Sequence, residues 1–196
     1  MGTAQFSRSR RKIIPQVRKP RVVLFLGTST AKNGDYGKEP DGSWRPALLP
    51  NDKDLKWPSV TLETGYSESL SRLRADASWW LCSSKGEVKL VVIMAINSRC
   101  PHIVIETWES GSPMAEAPAT RSTSWVVQTQ SQEISIRCDT DGTVRATGGP
   151  LILSFSAFIL RSPLNVQETD FIFSQQEFEQ IADAIWQVQD FDVLAS

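Results

Sequence analysis

Residues 60–97 change hydrophobic period twice, which confines the chain to folds in which strand and helix follow each other closely. "VTLET" (60–64) mixes β-branched and aliphatic residues, follows Trp57-Pro58 and ends at Gly65, which predicts a strand. Ser67 then stands as an N-cap. Leu70, Leu73, Ala77, Trp80 and Leu81 recur at helical spacing and predict a helix to about residue 82. "CSSKGE" (82–87) breaks that stripe. "VKLVVIMAIN" (88–97) is a second long apolar strand, followed by another at "HIVIETWE" (102–109).

The flanking sequence extends the pattern. "RVVLFLG" (21–27) is a continuous apolar run that predicts a buried strand. Residues 28–58 are rich in Gly, Pro, Asp and Asn and read as loops around short strands at most. So long a connection points to function. It is not a P-loop, because Gly27 is followed by no Gly-Lys-Ser/Thr at the required spacing. Residues 110–123 read as a loop. "SQEISIRCDTDGTVRAT" (131–147) predicts a hairpin turning at Asp141-Gly142. Its likeness to a calcium loop is weak, since Thr143 and Val144 stand where a ligand and a turn glycine belong. "LILSFSAFIL" (151–160) predicts a further strand.

A terminal helix is signalled by a capping box of Ser174 with Glu177, and Phe173 and Phe178 can staple it. Phe178, Ile181, Ala182, Ile185 and Trp186 share its apolar face. Mixed strands, a central helix directly after a strand, more strands and a terminal helix predict one α/β or α+β domain over residues 22–196.

The net charge of -1 conceals an uneven distribution. Residues 1–21 hold seven Lys/Arg and no acid, leaving 14 basic and 22 acidic residues, a net of -8, in the remainder. A basic arm of this kind suits contact with nucleic acid or a nuclear import signal, and equally a disordered, soluble tail. No apolar run approaches the roughly 18 residues of a membrane span. The N-terminus lacks the apolar core of a secretory signal, and Phe6 stands where a myristoylation site needs Ser or Thr. Cys82, Cys100 and Cys138 are scattered and odd in number, which predicts reduced thiols in an intracellular compartment, cytoplasmic or nuclear. A lone His102 excludes an ordinary zinc site and reads as a structural hydrogen-bonding residue.

Glu63 interrupts the strand at 60–64, where a carboxylate is costly unless paired. By alternation Val60, Leu62 and Thr64 share one face, and Thr61, Glu63 and Gly65 share the other. The Thr and Gly make the Glu63 face the polar one, so a solvated Glu is the plain expectation. Two features favour chemistry instead. The strand runs straight into a helix N-terminus, which attracts anions such as phosphate. Asp41 follows Pro40, 22 residues upstream, at a position from which it can converge with Glu63. Two converging carboxylates repel unless a cation bridges them. Mg²⁺, with Mn²⁺ as a substitute, takes one or two carboxylates and fills its other positions with water and phosphate.

"KEPDGSWRP" (38–46), "WPSVTLETGYSESLSRLRADASWWL" (57–81) and "GEVKLVVIMAI" (86–96) together resemble the restriction-endonuclease-like PD-(D/E)xK superfamily. The likeness is closest to its small fungal single-domain members. It covers roughly residues 22–109, and the terminal helix ending in "AIW" fits too. The resemblance implies a mixed central β-sheet flanked by helices, Mg²⁺-dependent cleavage of nucleic-acid phosphodiesters, and a metal held by Asp41 and Glu63. It also implies a lysine at position 65, where this chain has Gly65.

In some relatives that cation sits on the following helix; here Arg72, Arg74 or, on the next strand, Lys89 would supply it. Arginine can stabilise charge but cannot act as general base. Each has a plainer role: Glu68, Arg72 and Asp76 are spaced to pair along a solvated helix face, and Lys89 can be a strand-edge charge. Lys38, close in sequence to Asp41, can assist phosphate binding or sit on a loop in water. Trp44, Trp57, Trp79 and Trp80 read as core or loop anchors. The rival to a nuclease is a binding module of the same fold that has lost hydrolysis. Either is compatible with a homodimer and with no membrane partner.

Overall fold

The computed structural model describes residues 23–110, 128–189 and 191. The basic arm and nearly all of the loop expected over 110–123 lie outside those residues. Strand β1 (Val23–Phe25) precedes a hairpin of β2 (Ala31–Asn33) and β3 (Tyr36–Lys38), then β4 (Gly42–Pro46) and β5 (Val60–Tyr66). Helix α1 (Leu70–Ser83) leads to β6 (Leu90–Ile96), β7 (His102–Ser110), β8 (Gln128–Cys138) and β9 (Val144–Thr147). The last elements are β10 (Leu151–Leu153), α2 (Phe155–Ile159), β11 (Phe171–Phe173) and α3 (Gln175–Trp186).

Seven strands form one sheet in the order β1-β4-β5-β6-β7-β8-β9. Only β5 and β6 run parallel; every other neighbouring pair is antiparallel. A parallel pair needs a crossover, and α1 provides it. The apolar run of β6 follows from burial on both faces, because Leu90, Val91, Val92 and Ile93 are all buried. Leu73, Ala77, Trp80 and Leu81 of α1 pack with Trp57, Val91 and Ile93 on one face. On the other, Val60, Leu90, Val92, Ile103, Ile105, Ile134 and Ile136 pack with residues of β10, α2 and α3. The expected mixed sheet flanked by helices is therefore the architecture observed.

Local expectations hold where the signal is local. In α3, Glu177 Oε2 accepts from the Ser174 backbone N–H at 2.7 Å, Ser174 Oγ accepts from the Glu177 N–H at 3.3 Å, and the Phe173 and Phe178 rings lie 6.2 Å apart. The turn at Asp141-Gly142 joins β8 to β9, and the Asp141 carboxylate accepts from the Thr143 N–H. Three details differ. Among the described residues, the part of 21–27 that is seen is an outer strand paired only with β4, and Leu24 and Phe25 are exposed; Phe25 leans on Trp44 at 5.4 Å instead of entering the core. The N-cap of α1 is Ser69, whose Oγ accepts from the Arg72 N–H; Ser67, at φ 67°, makes the turn before it. Residues 151–160 begin as strand but turn into α2 after Ser154, where Asp170 accepts from the Phe155 N–H at 2.8 Å. An apolar run alone does not distinguish the two.

Candidate functional site

Strands β4 and β5 pair with Gly42 opposite Leu62, so Asp41 enters the sheet beside the Glu63–Thr64 peptide. Its Oδ2 accepts from the Thr64 backbone N–H at 2.6 Å and from the Thr64 hydroxyl at 2.7 Å. The Thr64 side chain lies on the exposed side of β5 while its amide serves the same carboxylate. One residue thus fixes Asp41 twice.

Glu63 is buried, not solvated. The expectation of a wet face fails because α1 lies over Thr61, Glu63 and Gly65, whose small neighbours let the helix approach closely. A Cβ at Gly65 would stand 3.0 Å from Glu68 Cβ and from Leu73 Cδ1. A side chain at position 65 would therefore crowd Glu68 and Leu73. The Glu63 carboxylate accepts from the Trp80 indole N–H, and Trp80 is wedged against Trp79 and Trp57 at centroid distances of 5.0 and 6.1 Å. Burial pushes the Glu63 carboxyl above the usual carboxylate range, against the opposing pull of the Trp80 N–H and of Lys38. Asp76 and Asp41 are near enough to add to the rise.

The positive charge beside Glu63 belongs to Lys38. Its Nζ lies 3.5 Å from Glu63 Oε1 and 2.8 Å from Asp76 Oδ1. Lys38 ends β3, so the β2–β3 hairpin carries it over the sheet toward α1. The three cations expected from sequence lie elsewhere. Arg72 is exposed in the first turn of α1, 3.7 Å from Glu68. Arg74 reaches from α1 to β7, where its Nε donates to both oxygens of Glu106 at 3.2 and 3.0 Å and its terminal nitrogen donates as well. Lys89 stands before β6, donates to the Gly86 carbonyl and is level with Ser59. That is four residues, about 13 Å, from Glu63 along β5.

Glu106 escaped the sequence reading. It is fully buried, aligned through Ile93 with Glu63 across β6, and it accepts from the Trp108 indole N–H at 2.8 Å as well as from Arg74. The signal was a Glu inside the apolar alternation of "HIVIETWE", the same kind that singled out Glu63. His102 keeps the structural role expected of it, 3.2 Å from the Ser135 hydroxyl. Trp44, Trp57, Trp79 and Trp80 all pack into the two cores.

No family model and no curated protein matches this chain. Among solved structures it is similar to "a putative nuclease belonging to DUF820" from Anabaena variabilis, with 17% identity and a TM-score of 0.30. The match covers 51% of this chain and 61% of that one, so the chain spans about three fifths of its length. At that overlap the likeness assigns no function.

Asp41 Oδ1 and Glu63 Oε2 accept no hydrogen bond among the described residues. Each carboxylate thus keeps one hard oxygen donor free, which suits Mg²⁺ or Mn²⁺. No three of the described Asp, Glu, His and Cys side chains converge as a metal-holding group. The protein would offer two carboxylates and leave the remaining positions to water and phosphate.

Proposed function

We propose that the chain is a Mg²⁺-dependent nuclease with a restriction-endonuclease-like core, hydrolysing phosphodiester bonds of DNA or RNA. The observation that carries this reading is the buried Glu63 carboxylate on β5, next to the strand that Asp41 leads into, each carboxylate with one oxygen unused among the described residues. Asp41 and Glu63 would hold the ion. Bound there, Mg²⁺ or Mn²⁺ supplies Lewis-acid polarisation of a phosphate oxygen and a bound water of lowered pKa.

The chain's own groups supply the rest. Thr64 keeps Asp41 oriented, and Trp80 keeps Glu63 oriented and dry. Arg74 serves Glu106 and steadies α1. In the reaction one water adds across a P–O bond. Its oxygen joins phosphorus, the ester bond breaks, and the leaving oxygen takes a proton, giving a phosphomonoester and an alcohol.

The test is cleavage of single- and double-stranded DNA and RNA with Mg²⁺ or Mn²⁺. Wild type is expected to cut at least one of these, and Asp41→Asn and Glu63→Gln to lose at least a hundredfold in rate. A wild type that cuts nothing, or variants that cut as fast as wild type, overturns the reading. A second reading, a nuclease-fold module that binds nucleic acid without cutting it, draws on the closed space at Gly65. It predicts binding unaffected by Asp41→Asn and no cleavage.

A further inference from the structure

The site has a lysine after all, delivered by another route. Side chains two residues apart on a strand share a face, so a lysine at 65 would have stood beside Glu63. Leu73 of α1 and Glu68, in the turn before it, fill that space. Among the described residues, the ammonium group that reaches the Glu63 side chain is that of Lys38, at 3.5 Å, and a second carboxylate aims it: Asp76 Oδ1, at 2.8 Å. Asp76 lies on α1, between the turn that closes position 65 and the turn that presents Trp80. The same helix that shuts out a lysine from β5 therefore positions one from β3. The Lys38 side chain is 21% exposed, open enough to meet a ligand and enclosed enough for its charge to act at short range.

We infer that Lys38 replaces the lysine that position 65 excludes, as the catalytic cation next to the phosphate, and that Asp76 is its positioning residue. This rests on the nuclease reading above. The ammonium stabilises negative charge that grows on the phosphoryl oxygens as the water's oxygen bonds to phosphorus and the ester oxygen departs. Asp76 prevents the flexible stem from swinging into water.

The experiment pairs cleavage with calorimetric Mn²⁺ titration of the full chain, for wild type, Lys38→Met, Lys38→Arg, Asp76→Asn and Glu63→Gln. Lys38→Met is expected to slow cleavage about 10²- to 10³-fold, Lys38→Arg to retain clearly more activity than Met, and Asp76→Asn to slow it about tenfold. Mn²⁺ affinity in Lys38→Met should equal or exceed that of wild type, because no ligand is lost and a competing cation is. It should fall in Glu63→Gln. Where Lys38→Met does not fold, the double variant Lys38→Met with Asp76→Asn, which leaves no unpaired carboxylate at 76, takes its place. Cleavage within threefold of wild type in the Lys38 variant, with Glu63→Gln inactive, overturns this inference and leaves the nuclease reading intact. A Mn²⁺ affinity lost as completely as in Glu63→Gln also overturns it, since Lys38 would then only hold the site together. An inactive wild type overturns both.

Discussion

Gly65 decides more at the level of a single residue than its lack of a side chain suggests. Its Cα lies so near α1 that an added methyl would meet Leu73 Cδ1 and Glu68 Cβ at 3.0 Å. Gly65→Ala is expected to lower stability by about 1–3 kcal/mol in denaturant unfolding, the range for overpacking. Gly65→Lys, which supplies the lysine that the sequence resemblance implies, should destabilise further and not raise cleavage. Glu63 makes a separate prediction in metal-free solution. Its folded value lies above the 4.5 of a free carboxyl, so between the two the folded state binds more protons than the unfolded. Stability then falls as pH rises through that window and stays reduced above it. Glu63→Gln should therefore raise the melting temperature in chelator at neutral pH, with the gain vanishing below pH 4.5.

Among the elements, α1 depends on charge as well as apolar packing. Glu106 is fully buried, and Arg74 donates to both its oxygens. Arg74→Met leaves a buried carboxylate without its cation and is expected to cost on the order of 3 kcal/mol. The double variant with Glu106→Gln should recover most of that in the same unfolding measurement. The helix stripe Leu73, Ala77, Trp80 and Leu81 and the Ser174–Glu177 capping box were legible because each depends on residues within a few turns of one another. The start of α1 was misplaced by two residues, because Ser67 and Ser69 are both fit caps and only the backbone angle at 67 separates them.

For the whole molecule, the alternation of strand and helix announced a mixed sheet, and the residue types of Asp41 and Glu63 marked them as candidates. What remained hidden was set by pairing across the chain. The burial of Glu63 depends on how closely α1 packs, and Thr61 and Gly65, polar in appearance, are what permit it. The Lys38–Asp76 contact joins residues far apart in sequence and exists only once the β2–β3 hairpin is folded against α1. Among the described residues no helix is long and apolar enough to cross a membrane.

Arg74 and Asp76 are two positions apart on α1, about 200° around its axis, and they pull in opposite directions. One is tied toward β7 by Glu106, the other toward the hairpin by Lys38. A helix resting on a sheet through apolar contacts alone can roll like a log, because such contacts have no direction. Opposed tethers stop the roll. They set the angle at which the Trp80 indole points down at Glu63, as two guy ropes set the bearing of a mast.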